Sequence, residues 1–216
     1  MRYIHIIILC VLVCSCAKDM ELATDVYTFR GRVEDFDMRV VLEEGSRDFF
    51  EGNLNLKDYE IEFLSKIAVP AIVQDIGHDI PLEITIAQGI LESGWGRSEL
   101  SKKSNNYFGI KDYGGGRSYP TKEYKNGKFV KVNANFAVYL DMYDCMAGRT
   151  NWFYGNRRYK KVLGKDYNWR QWSVILQEKG YATDPDYAKK LQGIIKRYEL
   201  DAYGSWARNH IFDFAD

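Results

Sequence analysis

The sequence predicts an α+β fold, a mainly helical lobe with a small β-hairpin lobe, on three observations. Apolar residues recur at three- and four-residue spacing from about Asp58 onward and again in the last third of the chain. Asn126-Gly127 stands between two strand-like runs, Tyr119 to Lys125 and Lys128 to Val132, which is a strong two-residue hairpin signal. With 216 residues, 46% of them apolar, the chain can build one well-cored domain plus a tail but hardly two domains.

The elements follow in order. Residues 1–15 read as a targeting segment: Arg2 supplies a positive start, and Ile4 to Val13 is an apolar run too short for a stable membrane span. Residues 16–55 read as a tether or N-terminal extension, charged at Lys18-Asp19 and strand-like at Val26 to Phe29 and Met38 to Leu42. The body is expected over 56–203. Its first helix carries Ile61, Leu64, Ala68, Ala71 and Ile72 on its apolar positions. Pro70 should kink or split that helix, and Gly77 should stop it. Pro81 opens a second helix with Ile84, Ala87 and Leu91 on one stripe and Glu92 in its last turn. Ser98 suits the N-cap of a short third helix. After the hairpin, helices are expected over Asp141 to Phe153, from Trp169 to Lys179 behind an Asn168 cap, and from Asp184-Pro185 through Tyr187, Leu191, Ile194 and Tyr198. Residues 204–216 read as a C-terminal tail.

Composition excludes some functions. Thirty basic and thirty acidic residues cancel, so bulk charge offers nothing to nucleic acid. Val13-Cys14-Ser15-Cys16 resembles a bacterial lipoprotein box, which makes Cys16 the expected lipid acceptor. Acyl chains on one cysteine anchor firmly, since each buried methylene adds about 0.8 kcal/mol. Lys18-Asp19 just after it resembles a surface-export signal. The expected location is therefore the cell envelope, lipid-anchored at the outer membrane or cell surface. Cys10 and Cys14 leave with the signal, so Cys145 alone remains for the body, on an apolar helix face where it reads as a core thiol. There is no His/Asp/Glu set at metal spacing, no serine-nucleophile elbow and no phosphate loop. No metal or other cofactor is expected.

Glu92 is the strongest candidate for chemistry. It ends an apolar helix just before Gly94-Trp95-Gly96, where its negative charge opposes the helix dipole by about 0.3–1 kcal/mol. A carboxyl group half buried against aromatic walls has a raised pKa, which suits a general acid near neutral pH. Protonating a glycosidic oxygen is the reaction that most needs such an acid. Trp95 and Phe108 are expected as wall and floor around it. In the hairpin, Glu123 falls opposite Val130 and shares a face with Thr121 and Val132, so it is the candidate second carboxylate. The alternative for Glu123 is a solvated hairpin charge balancing Lys122 and Lys125.

Three motifs resemble glycoside hydrolase family 73, the lysozyme-like N-acetylglucosaminidases of the bacterial cell wall. They are Ala87 to Ser98 with Asn105 to Lys111, then Lys122 to Lys128 before Phe136-Ala137-Val138-Tyr139, then Gly180 to Ala188. They stand in the family's order, and the resemblance runs from about Asp58 to Tyr203. One departure is Ala137, where relatives often carry an arginine. The resemblance implies a lysozyme-like fold and an endo-β-N-acetylglucosaminidase that cuts peptidoglycan glycan strands, as a monomer. It implies Glu92 as acid, Glu123 as base or cation stabiliser, and Tyr181 as the residue that holds the substrate's N-acetyl group. Asn105 and Asn106 read mainly as loop-fixing residues, with Asn106 also a candidate substrate contact. Asp184 reads as an N-cap. The alternatives are a muramidase or lytic transglycosylase on the same fold, and a non-catalytic glycan-binding lipoprotein.

Overall fold

The computed structural model describes residues 36–53, 55–125 and 128–213. The lipoprotein box with Cys16, the export-like pair and the run from Val26 to Phe29 lie outside these residues. Among the described residues are eight helices and one two-stranded antiparallel sheet.

The first helix, α1 (Phe36–Asn53), takes in Met38 to Leu42, so the strand expected there is helical instead. The run Met-Arg-Val-Val-Leu looks β-like in isolation. It lies within one continuous helix whose Leu42, Ser46 and Phe50 recur every four residues and are buried.

Helix α2 (Asp58–His78) starts with the Glu60 carboxylate accepting from the Lys57 amide at 3.0 Å. It runs unbroken through Pro70, which does not split it; Val69, Pro70, Ala71 and Ile72 are all buried, and their packing offsets the lost hydrogen bond. The stop comes two residues after Gly77, at Asp79, which adopts the left-handed conformation with φ 51°.

Helix α3 (Leu82–Ser93) is the centre of the body. Every residue from Leu82 to Ile90 is buried, which marks a helix packed on all sides. It contacts α2, and also the later helices α6 (Trp169–Glu178), α7 (Tyr187–Arg197) and α8 (Leu200–Asp213). At Gly89 a Cβ would run into the Ile67 Cδ1 methyl, so the close approach of α2 to α3 favours glycine there. Short α4 (Glu99–Ser104) begins as expected, with Ser98 Oγ accepting from the Ser101 amide.

The hairpin pairs β1 (Arg117–Lys125) with β2 (Lys128–Phe136), and Glu123 lies opposite Val130 as its sequence implies. Helix α5 (Met142–Gly155) is capped by Asp141, and α6 by Asn168 with a reciprocal Gln171 contact. Helix α7 begins at Tyr187, three residues beyond Asp184. Asp184 instead accepts from the Asp186 amide at 2.9 Å and pairs with Lys190, fixing the turn before the helix.

The chain does not end there. Helix α8 occupies much of the expected tail and packs on α1: Ser46 Oγ and the Tyr203 hydroxyl share a 2.8 Å hydrogen bond, and Phe50 and Tyr203 rings lie 4.6 Å apart. Arg208 on α8 bridges Asp75 of α2 and Glu83 of α3. The folded body therefore takes in helices on either side of 56–203.

Candidate active site

Glu92 stands in the last turn of α3, where the chain reverses through three left-handed residues, Gly94 (φ 58°), Trp95 (φ 65°) and Gly96 (φ 68°). Ser93 ties this reversal by accepting from the Gly96 amide at 2.7 Å. The turn leaves the Glu92 carboxyl facing a cleft of about 610 Å³. Phe108, Gly109, Trp152, Tyr181 and Thr183 line the cleft near or across from the acid, while Tyr113, Tyr119 and Thr121 line it on the hairpin side.

Glu92 as a residue keeps some contact with the cleft, yet protein atoms replace most of the water around its carboxyl. Burial pushes its pKa up from 4.5 to about 7. The Tyr187 hydroxyl opposes this by donating to Glu92 Oε1 at 2.7 Å, and the negative charge of Asp184 adds to the rise. A carboxyl group with those properties holds its proton near neutral pH and can deliver it to a basic oxygen in the cleft.

Phe108 is 2% exposed and lines the cleft. Tyr181 lines the cleft, and its hydroxyl donates to the Phe108 carbonyl at 3.1 Å. That bond leaves the oxygen able to accept from a ligand N–H. Glu123 is described by its backbone, at the seventh position of β1.

Two expected site residues act elsewhere. Trp95 does not line the cleft: its ring packs edge-on against Tyr59, Phe63 and Tyr198, behind the end of α3. The left-handed backbone at Trp95 turns the side chain to that side, and ring packing offsets the conformational cost. Asn106 is 1% exposed and spends its amide inside the loop. Its Nδ2 donates to the Ile110 and Ala137 carbonyls, and its Oδ1 accepts from the Ile110 amide. Both donors are used inside the loop, and Asn106 is not among the residues that line the cleft. Asn105 likewise clasps the Tyr139 and Leu140 carbonyls.

The sequence places Tyr187 on an apolar helix stripe and within the Gly180 to Ala188 motif but gives it no contact with Glu92, and it gives Arg149 no role. Tyr187 is the direct hydrogen-bond partner of Glu92. Arg149 is completely buried on α5, an unusual place for a guanidinium. The signal was present: one arginine in the otherwise uncharged segment Cys145-Met146-Ala147-Gly148-Arg149-Thr150. Cys145 is buried, and burial pushes its thiol up to about 12, away from nucleophilic use. Among the described residues, no three His, Cys, Asp or Glu side chains gather as a metal site.

The chain is similar to known proteins. Exo-glucosaminidase LytG of Bacillus subtilis is 41% identical over 133 residues, 58% of this chain and 46% of LytG. Peptidoglycan hydrolase FlgJ of Escherichia coli K12 is 34% identical over 143 residues, 62% of this chain and 45% of FlgJ. The chain thus spans about half the length of the curated relatives it matches. The catalytic domain of the autolysin Auto from Listeria monocytogenes superposes with a TM-score of 0.58 at 30% identity, covering 74% of this chain and 96% of that domain. Residues 70–200 match the glucosaminidase family, described as mannosyl-glycoprotein endo-beta-N-acetylglucosaminidase, over well more than half of the chain, and the chain belongs to that family.

Proposed function

We propose that the protein is a peptidoglycan hydrolase that cleaves the β-1,4 bond on the reducing side of N-acetylglucosamine, with Glu92 as general acid. The observation that carries this is the Glu92 carboxyl, held at a helix end in an aromatic-walled cleft with its pKa pushed up to about 7. Glu92 gives its proton to the glycosidic oxygen as the bond from the anomeric carbon to that oxygen breaks, and the leaving sugar departs as an alcohol. The cationic ring is stabilised by Glu123 or captured by the oxygen of the substrate's own acetamido group. Water then adds at the anomeric carbon and surrenders a proton to the waiting carboxylate. Tyr181, its hydroxyl donating to Phe108, accepts from the acetamido N–H and orients that group.

The test is digestion of purified cell walls followed by reducing-end analysis. Reducing N-acetylglucosamine supports the reading, and reducing or anhydro-muramic ends replace it with a muramidase or lytic transglycosylase. A protein that binds glycan without releasing any new end is the non-catalytic lipoprotein instead. The kinship with an exo-glucosaminidase favours examining chain length as well. Loss of single sugars from chain ends would mark an exo enzyme, whereas a fall in average strand length marks an endo enzyme.

The finer expectations belong to the same proposal. Cys16 carries lipid and holds a monomeric enzyme at the cell envelope, at the outer membrane or cell surface. Among the described residues no helix is long and apolar enough to cross a membrane.

A further inference from the structure

A buried arginine without a counter-ion calls for an explanation. Arg149 is 0% exposed, and among the described residues no carboxylate lies within ion-pairing distance of it. Its guanidinium donates to Gln74 Oε1 and Gln88 Oε1 and, at 3.2 Å, to Thr85 Oγ1. It also sits 4.9 Å and 4.8 Å from the ring centres of Phe108 and Phe153. All of these partners are neutral. Burying a guanidinium among neutral groups is costly, and replacing such a charge with apolar residues often improves stability. Packing alone therefore does not account for Arg149.

One branch of the hydrogen bonds around it runs toward Glu92. Arg149 donates to Gln88 Oε1; Gln88 Nε2 donates to the Tyr187 hydroxyl at 2.9 Å; that hydroxyl donates to Glu92 Oε1 at 2.7 Å. Each group accepts from the Arg149 side and donates toward Glu92. The guanidinium has no acceptor capacity, so the first arrow cannot reverse. Once Gln88 turns its oxygen to Arg149, its NH₂ must face Tyr187, and Tyr187 must then spend its single proton on Glu92. Bonds aligned this way polarise one another, by roughly 10–30% each.

We propose that Arg149, Gln88 and Tyr187 form a positioning relay that fixes which Glu92 oxygen is held and stabilises the carboxylate left after proton donation. It rests on the reading of Glu92 as the acid. The relay resolves a conflict in the mechanism. Burial keeps Glu92 protonated, but full burial would make its anion too costly to form during bond cleavage. A hydrogen bond backed by a remote positive charge lowers that cost without placing a cation in the cleft, where it would discharge the acid. It also keeps Oε1 occupied and leaves Oε2, the oxygen nearer Gly109, to face substrate.

Other groups bear on Glu92. Asp184 before α7 raises its pKa; Tyr181 from the preceding loop and Cys145 and Arg149 from α5 lie around the same centre; Glu99, Lys111 and Arg158 line the cleft. None of these is altered by the variants that follow.

The experiment compares wild type with Tyr187→Phe and Gln88→Glu. Tyr187→Phe keeps the ring that stacks 5.7 Å from Tyr181. Gln88→Glu keeps the shape but pairs Arg149 with its own carboxylate, which cannot donate to Tyr187. Two readouts are taken across pH 4–9: kcat/KM on soluble glycan, and the carboxyl ¹³C shift of Glu92, assigned by its loss in Glu92→Gln. The protonated acid is the active form, so activity falls as pH rises through the Glu92 pKa. Both variants should move that falling limb and the NMR midpoint upward by about half a unit to one unit. Both should lower kcat more than they raise KM, by about tenfold. Unmoved midpoints in both variants, with kcat changed only as stability changes, would overturn the relay. The NMR midpoint needs no turnover, so a protein inactive on every glycan would sink the hydrolase reading and leave the relay to be judged by itself.

Discussion

Arg208 grips Glu83 with two parallel hydrogen bonds, Nη1 to Oε1 at 2.9 Å and Nη2 to Oε2 at 3.0 Å, at the opposite end of the helix that carries Glu92. The same guanidinium reaches Asp75 Oδ2 at 2.8 Å. One cation thus fastens α8 to both α2 and α3. Glu83 is only 3% exposed and cannot recover its water if the partner is lost.

Arg208→Ala is expected to lower stability by about 2–4 kcal/mol, since it strands a buried carboxylate. That corresponds to a drop in Tm on the order of 10 °C for a body of this size. Burial pushes Asp75 up to about 6 even with Arg208 beside it. A carboxyl whose folded pKa is raised stabilises below its unfolded pKa and loses that contribution as pH rises through the folded one. Without Arg208 the rise in Asp75 grows, so the deficit should be larger at pH 8 than at pH 5. Calorimetry at the two pH values checks this, and equal deficits would refute it.

Glu92→Gln should remove activity and add stability. The amide keeps the shape and still accepts from Tyr187, but it has no transferable proton, so turnover falls by about 10²–10⁴-fold or more. Wild-type Glu92, with its pKa raised from 4.5 to about 7, loses folding free energy as pH climbs through that window. The neutral variant escapes that loss. Its Tm should equal wild type near pH 4 and exceed it at pH 8, by about 1–3 kcal/mol of stability. Residual activity above a tenth of wild type would move the acid elsewhere.

Glu123→Gln should slow cleavage markedly, about tenfold or more, but less than loss of Glu92. If Glu123 activates water across the sugar, the product forms with inversion at the anomeric carbon and the carboxyl groups stand roughly 6.5–9.5 Å apart during reaction. If the acetamido group attacks instead, configuration is retained, and Tyr181→Phe should cost about as much as Glu123→Gln. Proton NMR of the first product distinguishes the two. An unchanged rate on polymeric glycan would return Glu123 to a solvated role.

Cys16→Ser should abolish labelling by palmitate and release the protein from the membrane fraction or leave it unprocessed. Persistent labelling would place the lipid on another residue.

Most of the helical body was legible because its signals are local. Asn168 and Ser98 cap helices where their sequence indicates, and the two strands pair Glu123 with Val130 in the expected register. Glu92 stands out in the sequence because a carboxylate against the helix dipole is out of place unless used, and the structure sets it on the cleft. What stayed hidden was decided by distant partners. Trp95 leaves the cleft because of the left-handed backbone around it, which tryptophan does not advertise. Tyr187 looks like any core tyrosine until its hydroxyl meets Glu92 95 positions away. Pro70 and the strand-like Met38 to Leu42 misled for the opposite reason. There the local preference was real, and tertiary packing overrode it.

The Ser46–Tyr203 hydrogen bond joins residues 157 positions apart. Contacts of that separation raise contact order, and closing so long a loop costs entropy before any packing rewards it. The turn that carries Glu92, held between α2 and α4, needs far shorter loops, whereas the bond from Tyr187 to Glu92 spans 95 positions. Folding should therefore form the α2–α4 part of the site early, add Tyr187 beside Glu92 later, and seal α1 against α8 last. A chain cut short before residue 200 would hold a partly formed cleft but leave Phe49 and Phe50 without the rings that cover them. Such a fragment is the one to watch for aggregation.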